Sequence, residues 1–349
     1  MAGRNATLLG SYVLPGGVPD PSPALEQARH AEAAGLGTVW IGERYDTKDL
    51  PSSAGALSQA TDRVGIGAAV THTGLRHPMV LASMGQTLQA LSNGRFLLGI
   101  GRSAMWRWRN YGAPAPTLAS LGDTAEILRR LWAGETVTYD GPAGQFPRLR
   151  LAQRTDGPPP PMLLAAVGPK TLDLAGRSFD GVILHPFLTA AGVARSVQAA
   201  RGAAARSGRD PTVLRCYATV VVAPDCSAED TELAVRARAA GYFQVTGLGD
   251  ALVAANDWDP DDLARYRSDP TLVALGDQQA DKVLSRRELV EVSRALPDDW
   301  LPSSSAAGSA AECAHRLHEY LDAGADELVL HGTTAEHLGP LTARFTEHG

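Results

Sequence analysis

The sequence predicts a (β/α)8 TIM barrel, and three observations carry that prediction. Eight short apolar runs, near residues 8, 39, 67, 98, 164, 183, 218 and 329, are almost all followed by a stretch of helical character. All-apolar strands separated by crossover helices mean a parallel sheet covered on both faces. Three joints share one form, a helix ending in Ala-Gly ahead of a strand: Ala34-Gly35 before Val39, Ala175-Gly176 before Val182, and Ala323-Gly324 before Leu328. The length of 349 residues then holds a barrel of about 250 residues with two excursions. A doubly wound sheet with a second domain is the competing arrangement.

Taken in order, Thr7 to Leu14 (TLLGSYVL) reads as a buried strand closed by Pro15-Gly16-Gly17. Ser22-Pro23 opens a helix that stops at Gly35, with Pro tolerated in the first turn. Thr38 to Gly42 is the second strand, followed by a helix over Ser52 to Thr61; Val64 to Thr71, a helix over Pro78 to Leu91, and Phe96 to Gly101 continue the alternation. Arg102 to Pro116 reads as a loop, and Leu118 to Trp132 as the fourth helix. Thr136 to Leu151 departs from the pattern: TVTY, Asp140-Gly141 and FPRLRL spell a β-hairpin, an insertion over about 135–157. Then come strand Met162 to Val167, helix Pro169 to Arg177, strand Gly181 to His185, helix Thr189 to Ser207 and strand Leu214 to Val222. Residues 226–297 read as helical, acidic and broken at Gly247, Pro260 and Pro270. With the small-residue linker Ser303 to Gly308 they make a helical insertion over about 226–308, ahead of strand eight. Ser309 and Glu312 fit a capping box; Glu327 to His331 is the last strand and Ala335 to Phe345 the closing helix. One barrel domain over 1–349 is the expectation.

Composition narrows the function. Thirty-two basic against 38 acidic residues give a net charge of −6 without a block of like charge, which argues against nucleic acid or an anionic membrane surface. A small-molecule partner is the default. Three cysteines (Cys216, Cys226, Cys313) without CxxC spacing encode neither a disulfide framework nor a zinc site. The start lacks a signal-peptide core and no apolar stretch reaches the about 18 residues of a membrane span, so a cytoplasmic protein is expected.

In a barrel of this type chemistry sits at the C-terminal ends of the strands. There the sequence places Glu43 and Arg44, Thr71 and His72, Arg102 and Ser103, His185 and His331. Histidines and a carboxylate are what proton transfer needs, although each has a structural alternative as a hydrogen-bonded strand end or a Glu43–Arg44 pair. No HxH or HExxH spacing supports a metal. Gly99 to Ala104 fits a loose GxGxxA but lacks the following helix that a dinucleotide site requires. Gly168-Pro169-Lys170-Thr171 lies between a strand and a helix start, where free amides, Lys170 and Thr171 can hold a phosphate or simply cap the helix. Gly65 to Val70 (GIGAAV) leaves a strand nearly bare, open to a flat ligand or to close packing inside the barrel. Trp106, Trp108 and Tyr111, interleaved with Arg107 and Arg109, suit an aromatic or anionic substrate, or pack the loop on the rim.

Two strings, VGIGAAVTHTGLRHPMVLASMGQTLQALSNGRFLLGIGRS (Val64 to Ser103) and LLAAVGPKTLDLAGRSFDGVIL (Leu163 to Leu184), together with AAECAHRLHEYLDAGADELVLHG near the end, closely resemble the luciferase-like flavin and deazaflavin oxidoreductases. Within them the chain is most similar to the branch that uses the deazaflavin coenzyme F420. The resemblance implies a homodimeric barrel with the cofactor ring at the top, a bulge with a non-proline cis peptide at Ala69-Val70, a phosphate loop over Ala166, Val167, Gly168, Pro169, Lys170 and Thr171, and Gly101 to Ser103 flanking the cofactor side chain. Hydride transfer to or from a small substrate is the implied reaction, with FMN-dependent oxygenation and non-catalytic flavin binding as the alternatives. Two departures are visible. Relatives with an Asp-His pair ending strand two correspond to Glu43-Arg44 here, and a carboxylic acid beyond strand four corresponds to Arg102-Ser103-Ala104. On this reading Glu43 and His72 orient the ring or handle a proton, and Arg44 and Arg102 hold anionic groups.

Overall fold

The structure, a computed structural model, describes residues 6–14 and 18–347. The expected Pro15-Gly16-Gly17 stop and the Met1 to Asn5 start lie outside the described residues. Eight parallel strand positions close on themselves in the order β1 (Leu9–Tyr12), β2 (Thr38–Ile41), β3 (Gly65–Ala68) continued by β4 (Thr71–His72), β5 (Phe96–Gly101), β8 (Met162–Ala166), β9 (Gly181–Leu184), β10 (Arg215–Pro224) and β12 (Glu327–His331), which pairs back with β1. Strands β6 (Val137–Gly141) and β7 (Gly144–Leu149) form the antiparallel hairpin, its turn at Pro142-Ala143, two residues beyond the expected Asp140-Gly141. Helices α1 (Pro23–Ala33), α2 (Leu50–Ala60), α3 (Pro78–Leu91), α5 (Leu118–Trp132), α6 (Pro169–Ser178) and α7 (Ala190–Arg206) follow their strands as read.

Three segments differ from the sequence reading. The expected loop contains α4 (Met105–Tyr111), because Met and Arg are good helix formers and Gly112, left-handed at φ +63°, closes the turn. The expected linker contains β11 (Ser305–Gly308), preceded by α14 (Trp300–Ser303). Its serine and alanines pair in parallel with Val221 to Pro224 of β10, outside the closed ring. Strand three is interrupted by a cis peptide at Ala69-Val70, where the resemblance placed it. Between β10 and α14 run α8 (Ala228–Gln244), α9 (Leu248–Asn256), α10 (Pro260–Arg267), α11 (Pro270–Leu275), α12 (Ala280–Val283) and α13 (Arg286–Ser293). α15 (Ala310–Asp322) starts with the expected Ser309–Glu312 capping box, and α16 (Gly339–Glu347) ends the fold.

Two apolar layers follow from the alternation of strand side chains. Val39, Ile41, Leu164, Leu328 and Leu330 face the helices, whereas Trp40, Leu163, Ile183, Tyr217 and Val329 fill the barrel. The interior is small because it is built on Trp40. A Cβ on Gly67 would stand 2.2 Å from the indole, and one on Gly10 would stand 2.7 Å from its Nε1. The bare third strand is thus explained at Gly67 by packing against Trp40, and at Ala69-Val70 by the site above it. Inside the barrel Trp40 Nε1 and Glu327 Oε1 are buried without a hydrogen-bond partner among the described residues. Burial pushes the Glu327 carboxyl up to about 7, against the pull of Thr38, Arg215 and Trp40.

Candidate active site

The strand ends open into one cavity of about 560 Å³. Its floor is the broken third strand. Ala69 and Val70, with Gly42, Gly101, Ala165 and Ala166, line it with small side chains. The bulge is pinned from three sides: Ala69 N–H donates to Ile41 O at 2.9 Å, Tyr12 Oη donates to Ala69 O at 3.1 Å, and Glu43 N–H donates to Val70 O at 3.2 Å. A flat, fixed, nearly apolar ledge is what a planar ring system needs for face contact.

Glu43 is buried and fully engaged. Its Oε2 accepts from Thr71 Oγ1 (3.0 Å) and from Arg76 Nε (3.0 Å) and Nη2 (2.8 Å), while Oε1 accepts from the Leu50 amide at the start of α2 (3.2 Å). Arg76 reaches on to Asp49 at 3.2 Å. This knot ties the end of β2, β4 and α2 together beneath the cavity. Thr71 contributes to the knot and does not line the cavity.

His72 lies between Tyr45 and Trp108, with ring centroids 5.8 and 5.6 Å away, and its Nδ1 has no hydrogen-bond partner among the described residues. Burial, then Arg107 and Arg76, push its pKa down to about 3. His185, enclosed by the cavity wall and edge-on to Tyr242 at 4.7 Å, is pushed down to about 4 by burial. His331 stacks on Tyr12 at 4.5 Å; burial, then Arg238 and Arg44, hold it well below the usual histidine range. All three are neutral near pH 7 and act there as neutral hydrogen-bonding groups.

At the opposite wall Ala166, Val167, Gly168 and Thr171 line the cavity where α6 begins. That helix starts on Gly168 without a side-chain cap; Pro169 has no N–H and the Thr171 N–H donates to Gly168 O at 3.1 Å, so its donors here are the Gly168 and Lys170 amides, with the dipole behind them. A Cβ on Gly168 would meet nothing within 4 Å. Pro169 and Lys170 instead lie in an outer groove with Leu118, Asp123 and Arg177. Gly101, Arg102 and Ser103 line the adjoining corner. Ser103 is left-handed (φ +58°) and its Oγ accepts from Arg107 Nη1 at 2.8 Å, while Arg102 Nε donates to Pro116 O at 3.2 Å.

Trp106 and Trp108 of α4 both line the cavity, but Trp108 is buried, with its Nε1 on Arg102 O at 2.8 Å. Tyr111 does not line it and packs edge-on to Tyr45 at 6.1 Å. The helices after β10 roof the opening through Tyr242, Leu248 and Gln279. Ion pairs Lys282–Asp46 (2.7 Å) and Arg109–Asp277 (3.2 Å) tie that roof to the β2 loop and to α4. Among residues the sequence reading missed, Tyr12 ends strand one and was open to the same strand-end rule. Lys48, Arg76 and Tyr242 carried no local signal. No group of three His, Cys, Asp or Glu is placed to hold a metal among the described residues, and no helix there is long and apolar enough to cross a membrane.

A closed parallel barrel with a flat small-residue ledge and an uncapped helix start in one cavity defines a cofactor-binding (β/α)8 enzyme. The chain matches the luciferase-like monooxygenase family over residues 3–327 and belongs to that family. It is 27% identical over 303 residues to a 5,10-methylenetetrahydromethanopterin reductase of Methanolobus tindarius, covering 86% of this chain and 87% of the relative. To an F420-dependent glucose-6-phosphate dehydrogenase of Amycolatopsis mediterranei it is 30% identical over 177 residues, 47% of this chain and 53% of the relative. Its fold is similar to that of the coenzyme F420 dependent tetrahydromethanopterin reductase of Methanopyrus kandleri, with TM-score 0.77 and 19% identity over 97% and 98% of the two chains.

Proposed function

We propose that this protein is an oxidoreductase that moves a hydride between coenzyme F420 and a small organic substrate. The carrying observation is the meeting, in one cavity, of the pinned Ala69-Val70 ledge with the uncapped start of α6 at Gly168. The F420-dependent relatives support the choice of cofactor. When bound, the deazaflavin supplies a hydride donor or acceptor at its ring carbon C5.

The rest is the protein's work. Ala69 and Val70 set the plane of the ring, and Glu43 acts as a positioning residue that holds Thr71 and the β2 loop under it. The Gly168 and Lys170 amides, the Thr171 side chain and the corner at Gly101 to Ser103 take the cofactor's phosphate side. Lys170, outside the cavity, adds only long-range attraction. Trp106, the α4 helix and the roof after β10 exclude water. The neutral imidazoles of His72, His185 and His331 offer N–H hydrogen bonds to a substrate oxygen, and the proton that completes the reduction comes from water. The proposal treats the chain as one cytoplasmic barrel unit and, on the resemblance, as a homodimer.

Incubation with reduced F420 and a panel of aldehydes, ketones and 2-oxo acids, without oxygen, tests the reaction. The absorbance of oxidised deazaflavin is expected to return with one substrate class as the carbonyl gains a hydride and a proton. Return that requires oxygen and yields an oxygenated product would replace this reading with a monooxygenase.

A further inference from the structure

A cationic group faces the same cavity from the side away from the phosphate cradle. Arg44 and Lys48 both line it from the β2 loop, Lys48 buried with Nζ on Leu14 O; Arg238 of α8 lies outside the lining, with Nη1 donating to Ala234 O. Burial, then Arg44, push the Lys48 pKa down to about 8. Neither guanidinium has an ion-pair partner among the described residues. The carboxylates lining the cavity do not balance them. Glu43 is committed to Arg76, and Asp281 is exposed at the rim. Like charges gathered in a partly desolvated wall repel one another, and such a cost is retained where a ligand of opposite sign offsets it.

The cofactor's phosphate does not account for them. In the closed strand order β8, which carries the cradle, lies four places from β1, and β5 lies four places from β12. Arg44 and Lys48 sit at the ends of β1 and β2, so the ledge at Ala69-Val70 lies between the two anion-binding sides.

We infer that the substrate carries an acid group, a carboxylate or a phosphate, held by Arg44, with the Lys48 side chain beside it, across the ledge from the cofactor phosphate. This rests on the cofactor reading above and adds the substrate's chemical class to it. A guanidinium fork suits either acid, whose two coplanar oxygens it matches.

The test uses F420-loaded protein titrated with pyruvate, with methyl pyruvate as its neutral ester, and with inorganic phosphate, followed by calorimetry and by deazaflavin fluorescence. At least one of the two anions is expected to bind saturably, and methyl pyruvate at least roughly tenfold more weakly than pyruvate if the acid is a carboxylate. Tight phosphate with weak pyruvate assigns a phosphate. Arg44→Gln is expected to weaken the bound anion by roughly tenfold, with Arg44→Lys in between, since it keeps charge but loses the fork. Binding unchanged in Arg44→Gln, displacement of F420 by the anion, or no anion binding at all would overturn the inference. So would an Arg44→Gln variant that loses F420 and keeps the anion. If the protein refuses F420, the cofactor reading fails, and the same titration on FMN-loaded protein still tests the cations.

Discussion

Gly168→Asp is expected to abolish useful cofactor binding while leaving the fold intact, with affinity for F420 falling by about a hundredfold or more. The backbone at Gly168 is extended (φ −76°, ψ 157°), so a side chain is tolerated, and a Cβ there meets open space. Asp is also a favoured helix N-cap, so α6 should gain about 0.5 to 1 kcal/mol of stability. The new carboxylate then occupies the amides and the dipole that the reading assigns to the cofactor phosphate, and repels it. Calorimetric titration with F420 alongside chemical denaturation checks both halves. Undiminished affinity in the stably folded variant would place the phosphate elsewhere.

Glu43→Gln is expected to lower the unfolding free energy by about 2 to 3 kcal/mol and to reduce turnover more than cofactor affinity. A carboxylate here accepts from four donor groups: the Leu50 amide, the Thr71 hydroxyl and two nitrogens of Arg76. Gln replaces one acceptor oxygen with a donating NH2, so in either orientation a donor faces a donor. Arg76, with 13% of its side chain exposed, keeps only its weaker contact to Asp49. The loosened β2 loop then carries Arg44 and Lys48 with it. Stability unchanged by denaturant titration, together with a pH–rate profile that loses one limb, would show that Glu43 carries the proton instead of positioning its neighbours.

The barrel was legible because parallel strands buried on both faces must be apolar, and β2, β5, β8, β9 and β12 all are. β11 was not, since Ser305-Ala306-Ala307-Gly308 carries no apolar signal and is a strand only because β10 runs on past the ring to pair with it. α4 was hidden differently: seven residues rich in Trp and Arg read as a rim loop, and the docking of Trp108 beneath Arg102 joins the Gly112 stop in fixing the helix. At the site, strand-end polar residues were readable one strand at a time. Their partners were not, because Arg76 reaches Glu43 from 33 residues away. Lys170 illustrates a finer limit. One helical position advances the side chain by about 100° around the axis, enough to put Thr171 in the cavity and Lys170 in the outer groove.

The central claim, that the ledge and cradle form a deazaflavin site, is tested most directly by titrating cofactor-free protein with F420 and, separately, with FMN, following absorbance and fluorescence. The account predicts saturable F420 binding at one site per chain, weaker FMN binding, and an F420 affinity that shows no histidine step between about pH 6 and 8, because the cavity imidazoles are already neutral there. Tight FMN binding with no binding of F420 would contradict it.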